Sequence, residues 1–101
     1  MRVVGIHSFT PVYYGQPRAL EIGVLYGSAT DYAARILEGL WRLPIKVAGN
    51  QPYEIDPLSD MTVPVHGDAR GLASVLIEVR NDLLRTPEAV QHWSDTLAPL
   101  L

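Results

Sequence analysis

The sequence predicts an α/β fold, a layered domain in which helices pack on a largely parallel or mixed sheet. Three observations carry that expectation. Short apolar, β-branched runs alternate with segments of helical period. Two of those segments carry an apolar stripe bounded by local start or stop signals. The chain has 101 residues, 48% of them hydrophobic, which fits one folded domain spanning 1–101 and excludes a disordered chain.

Residues 2–6 (RVVGI) are mostly apolar and β-branched and read as a buried strand, ending at His7-Ser8-Phe9-Thr10-Pro11. Pro11 and Gly15-Gln16-Pro17-Arg18 mark a loop. Residues 21–26 (EIGVLY) form a second strand, closed by Gly27. A helix follows, with Ser28 or Thr30 as its expected cap and Asp31 suited to the positive end of the dipole. Tyr32/Ala33, Ile36/Leu37 and Leu40/Trp41 recur every four residues as one stripe, and Pro44 stops the helix.

Residues 45–48 read as a short third strand. Residues 49–70, with Pro52, Pro57, Pro64, Gly67 and several aspartates, are irregular and long for a passive connection. Residues 74–79 (SVLIEV) form a fourth strand that is apolar except for Glu78. The last helix has Thr86 as N-cap, Pro87 at the first position and Glu88 in the first turn. Val90, Trp93, Leu97 and Leu100 then recur at three or four residues.

The formal net charge of -3 gives no basic footprint, so nucleic acid is not an expected partner. No apolar run approaches the ~20 residues needed to span a bilayer, so no membrane partner is expected either. The absence of cysteine excludes disulfides and thiolate metal sites and agrees with a cytoplasmic protein. The first residues do not read as a signal peptide. A chain opening directly in a strand is what a piece cut from a larger sheet looks like.

His7 follows the first strand, and in open α/β sheets ligand sites lie beyond the carboxyl ends of strands. An imidazole there can ligate a metal. From position alone, a packed or hydrogen-bonded histidine is the commoner outcome. Glu78 is a sharper signal, because it interrupts an apolar strand two residues before Arg80. Desolvated in a cleft, such a carboxylate can act as a general base. Turned to solvent by strand alternation, it would do nothing, and the two readings weigh about equally.

In the long loop, His66-Gly67-Asp68-Ala69-Arg70-Gly71 can bring His66 or Arg70 to a substrate, and Asn50-Gln51-Pro52-Tyr53 can offer Asn50 and Tyr53. Both segments also suit plain turns. Arg18 is a candidate clamp for a carboxylate, since its planar fork matches two oxygens. Most loop arginines are simply solvated. His92 reads as surface or packing within the last helix.

In their order, Ile6-His7-Ser8-Phe9-Thr10-Pro11, Gly15-Gln16-Pro17-Arg18, Ile22-Gly23-Val24-Leu25-Tyr26, Asn50-Gln51-Pro52-Tyr53, His66-Gly67-Asp68-Ala69-Arg70-Gly71 and Ile77-Glu78-Val79-Arg80-Asn81-Asp82-Leu83 resemble the N-formylglutamate amidohydrolases. Each motif alone is weak; six in the right order are fairly specific. The family looks related to the zinc carboxypeptidases. The resemblance therefore implies a partial α/β/α sandwich of zinc-carboxypeptidase-like design. It matches His7 to a zinc ligand and Glu78 to the glutamate that activates the zinc-bound water. It further implies hydrolysis of an N-acyl amino acid such as N-formylglutamate, with Arg18, Asn50, Tyr53, His66 and Arg70 near the substrate.

The family is considerably longer, and its first zinc ligands lie in an N-terminal half that has no match here. A catalytic zinc site normally takes three protein ligands, and the matched positions give only His7. The chain by itself is therefore expected to be inactive, with open strand edges that favour a homo-oligomer or a missing N-terminal half as partner. The alternative is a non-catalytic small α/β protein that works as a homo-oligomer or binding module.

Overall fold

A computed structural model describes residues 1–56 and 60–101. Pro57, counted above in the irregular stretch, lies outside the described residues. The main sheet has four strands, β1 (Arg2–Phe9), β4 (Ile22–Leu25), β5 (Val47–Gly49) and β6 (Ala73–Arg80), in the order β1-β6-β4-β5. β1 runs parallel to β6, β6 antiparallel to β4, and β4 parallel to β5. The sheet is thus mixed, one of the two arrangements expected.

One face of the sheet is the hydrophobic core. Ile22, Val24, Val75, Ile77 and Val79 point into it. Helix α1 (Thr30–Trp41) closes it with Tyr32, Ala33, Ile36, Leu37 and Leu40, and helix α2 (Pro87–Leu97) adds Trp93 and Leu97. The i, i+3, i+4 spacing read from the sequence is the buried stripe. Trp41 departs from it: the ring is 58% exposed and its Nε1 donates to the Val47 carbonyl.

Strand alternation sends Ser74, Leu76 and Glu78 to the opposite face. No helix covers that face among the described residues. Instead the long loop lays Val63 and Ile55 against Leu25 and Leu76. The observed architecture is therefore a small mixed-sheet α/β unit with two helices on one side and a loop on the other.

Several boundaries moved. β1 continues through His7 and Ser8, and it is half-exposed rather than buried because it forms one edge of the sheet. The loop after it contains a small hairpin, β2 (Val12–Tyr13) and β3 (Gln16–Pro17). Tyr14 and Gly15 turn it with φ of 49° and 74°, the left-handed pair that suits a two-residue hairpin turn. The α1 cap is not Ser28 or Thr30. Ala29 occupies the cap position without a side-chain bond, and Asp68 Oδ2 accepts from the Ser28 N–H instead. Thr86 caps α2 as expected, its hydroxyl accepting from the Ala89 N–H.

Candidate active site

Register places His7 and Glu78 side by side. The two residues are paired across β1 and β6 near the carboxyl ends of both strands. Their side chains leave the sheet on the loop-covered face, and His7 Nδ1 lies 3.6 Å from Glu78 Oε1. The pair is asymmetric: the His7 side chain is 59% exposed and that of Glu78 6%. On the other side of Glu78 stands Gly23 of β4. A Cβ there would collide with the Gln51 carbonyl, so the glycine lets the Gln51–Pro52 segment, joined by a cis peptide, cross the sheet next to the carboxylate.

Burial shifts the titration of Glu78 upward. Desolvation raises its pKa above the ordinary carboxylate value, and Asp60 adds a like-charge push in the same direction. His7 and Arg18 pull the other way without cancelling it. Oε2 is buried and has no hydrogen-bond partner among the described residues. A buried carboxylate oxygen without a donor is costly.

Arg18 closes the site on the hairpin side. Its Nη1 donates to the Thr10 carbonyl at 3.2 Å and to the Tyr53 hydroxyl at 3.3 Å. The guanidinium lies over three rings, at 4.5 Å from the Tyr13 centroid, 5.4 Å from Tyr53 and 5.5 Å from Phe9. The backbone around it is fixed from below by Arg80. Arg80 Nη1 donates to the Arg18 carbonyl at 2.8 Å, and its Nε donates to Asp82 Oδ1 at 2.7 Å. That charge-assisted bond is the chief reason the Asp82 carboxyl titrates below its usual value.

The remaining candidates lie elsewhere. Asn50, at φ 52°, turns the chain back after β5, and its Oδ1 accepts from the Tyr26 N–H. It shapes the turn that delivers Tyr53 to Arg18. His66 and Arg70 are exposed and sit by the start of β6, where Gly67 packs on Ser74. Four residues of strand, ~13 Å, separate Ser74 from Glu78. The structure therefore does not bring them to the carboxylate. In their motif it is Asp68 that is engaged, accepting from the Ser28 N–H and from the Ser74 hydroxyl. His92 is exposed on α2, with its ring edge-on to Trp93.

Sequence reasoning missed Asp60, Thr10, Phe9 and Tyr13. Phe9 was detectable, because it stands two residues after His7 and so shares its face. The others depend on loop paths with no local signal.

Among the described residues no three His, Cys, Asp or Glu side chains are grouped to hold a metal ion. The exposed imidazole of His7 suits one ligand position, and the described residues do not complete a tetrahedral site around it.

Comparison with known proteins adds three findings. The family model of N-formylglutamate amidohydrolase matches residues 1–85. A search of the curated proteins gives no significant match. Among solved structures, gene product Atu2144 from Agrobacterium tumefaciens is 35% identical over 98% of this chain, with a TM-score of 0.87. The chain spans about 40% of the length of that protein.

Proposed function

The chain belongs to the N-formylglutamate amidohydrolase family, and on that premise we propose that it carries the proton-transfer half of an amidohydrolase site for N-acyl amino acids. The observation that supports this most is Glu78, buried in an apolar strand opposite His7, with one oxygen unpartnered among the described residues. The substrate class is an N-acyl amino acid such as N-formylglutamate. The larger design is zinc-carboxypeptidase-like, and the cysteine-free composition fits a cytoplasmic protein.

In this reading Glu78 takes a proton from the attacking water as the new C–O bond forms at the acyl carbon. It returns that proton to the amide nitrogen as the C–N bond breaks, giving a carboxylic acid and a free amino acid. A carboxyl with raised pKa suits both halves of that exchange. His7 would be one ligand of a zinc ion, which would supply Lewis-acid polarisation of the scissile carbonyl. Arg18, held against Tyr53 and Thr10, binds a substrate carboxylate with its remaining N–H groups. Among the described residues no three such side chains group together, so the remaining ligands would come from outside them.

Two measurements test the reading. Combined with the segment that supplies the remaining ligands, the protein should hold zinc, by elemental analysis, that His7→Ala loses. In that combined protein, hydrolysis of N-formylglutamate, measured as formate release, should fall by about 10²-fold or more in Glu78→Gln. Zinc that persists in His7→Ala, or formate release indifferent to Glu78→Gln, overturns it. A second reading, a non-catalytic binding module, is favoured by the incomplete ligand set, and a protein free of zinc and of activity supports it.

A further inference from the structure

On the reading that Arg18 binds the carboxylate of a substrate, we propose that it does so as a side-on fork, which admits a planar carboxylate and rejects a tetrahedral anion. Tyr13 and Tyr53 are the specificity-determining residues.

A guanidinium carries its N–H groups in one plane, two on each Nη and one on Nε. The protein itself occupies the Nη1 pair. Nη1 lies 3.2 Å from the Thr10 carbonyl, 3.5 Å from the Thr10 hydroxyl and 3.3 Å from the Tyr53 hydroxyl. Nε and Nη2 meet no acceptor among the described residues. Their parallel N–H groups form the side of the fork, which takes both oxygens of one carboxylate. The Tyr53 hydroxyl, by accepting from Nη1, closes the end-on approach between Nη1 and Nη2.

Aromatic rings restrict the approach further. The Tyr13 centroid is 4.5 Å from the guanidinium carbon, a stacking distance, and Tyr53 and Phe9 follow at 5.4 and 5.5 Å. A ring face attracts a cation but offers no donor to an anion. At 4.5 Å no oxygen fits between the Tyr13 ring and the cation, so an anion reaches Arg18 along the plane of the fork. The residue is also held in place. Its N–H donates to the Pro11 carbonyl at 2.8 Å, and its carbonyl accepts from Arg80 Nη1 at 2.8 Å. A donor pair fixed in advance loses little freedom on binding.

A carboxylate meets these constraints because its carbon and both oxygens are coplanar. With the oxygens on Nε and Nη2, no atom of the group leaves the plane. A sulfonate on the same two donors carries its third oxygen out of that plane, toward the rings, where it loses water and gains no hydrogen bond.

The test is binding to the full chain of two dianions with the same charge and the same linker, glutarate and propane-1,3-disulfonate, at constant ionic strength. NMR titrations follow the non-exchanging Arg18 Cδ–H resonance, assigned by its loss in Arg18→Lys. Glutarate should shift it and bind at least about tenfold more tightly than the disulfonate. Tyr13→Leu, which uncovers the cation, and Tyr53→Phe, which keeps the ring and frees an Nη1 donor, should each bring the two affinities closer together. Arg70→Lys, exposed by the start of β6, should leave their ratio unchanged. Circular dichroism identifies variants that fail to fold. Equal affinity for the two anions, or a ratio indifferent to both tyrosine substitutions, overturns the proposal while leaving Arg18 as an anion site. A glutarate titration that does not move the Arg18 resonance overturns the proposal together with the reading of Arg18 on which it rests.

Discussion

His7 Nδ1 and Glu78 Oε1 face each other at 3.6 Å across two parallel strands, and only the histidine has access to water. The arrangement follows from register: equal positions on neighbouring parallel strands send their side chains to one face. The edge position of β1 exposes the ring, while the central position of β6 buries the carboxylate. Burial of the carboxylate outweighs the attraction of an imidazole that is open to water on one side, and this accounts for the raised pKa of Glu78.

That shift predicts a pH-dependent effect of Glu78→Gln in metal-free protein. The unfolded carboxyl titrates near 4.5, and the folded one higher, because of burial. Between those values the folded state binds more protons, so wild-type stability falls as pH rises through the window and then levels off. Glu78→Gln lacks this fall. The variant should therefore gain on wild type from about pH 4.5 upward, read as a growing difference in denaturation midpoint. A difference that is flat with pH contradicts the burial argument.

His7→Ala removes the main charge that lowers the Glu78 pKa. Its carboxyl should titrate higher still in that variant, followed by carbon-detected NMR of the glutamate side chains. The direction is the prediction; an unchanged or lower value shows that the imidazole does not act on the carboxylate in solution.

Gly23→Ala tests the path of the loop beside the carboxylate. A methyl group at that position would strike the Gln51 carbonyl, a backbone atom that cannot rotate away. Destabilisation of about 2 kcal/mol or more is expected in denaturant melts. Gly15→Ala, where nothing lies within 4 Å, carries only the strain of its positive φ and should be milder, at about 1 kcal/mol.

These effects differ in how visible they are in the sequence. Glu78 stands out as a charge interrupting an apolar strand, but its burial follows from the central place of β6 in the sheet, which the sequence left level with a solvent-facing reading. His7 was visible as a strand-end imidazole, but its partner lies 71 positions away, and no local pattern encodes parallel pairing over that distance. The α2 cap is a local bond within Thr86-Pro87-Glu88-Ala89 and was legible; the α1 terminus is satisfied by Asp68, 40 residues from Ser28, and was not. The same gap explains the His66-Gly67-Asp68-Ala69-Arg70-Gly71 segment, in which the engaged side chain was not one of those singled out. The family resemblance supplied order along the chain, and the sheet supplied adjacency.

Asp68→Ala should therefore destabilise the fold without touching the carboxylate pair. It leaves the Ser28 N–H and the fully buried Ser74 hydroxyl without their acceptor. A loss of about 1–3 kcal/mol is expected, with faster amide exchange at the start of α1 as its local signature. Asp68→Asn retains an acceptor for one of the two donors and should recover part of the loss.

Arg80 offers the most discriminating substitution, because it links the end of β6 to the segment that carries Arg18. Arg80→Lys keeps the positive charge and loses the planar fork that spans Asp82 and the Arg18 carbonyl. The Asp82 pKa, lowered chiefly by that hydrogen bond, should move back toward 3.8. A carboxyl with depressed folded pKa stabilises the protein above its unfolded value and loses that contribution as pH falls through the folded one. The acid side of the stability profile, below about pH 4, should therefore flatten in Arg80→Lys. If Arg18 binds substrate, the same variant should raise KM for an N-acyl amino acid with little change in kcat, since Glu78 stays in place on its strand. A change confined to stability would assign Arg80 to the fold alone, and a loss of kcat at constant KM would contradict the separation of Arg18 from the proton-transfer pair.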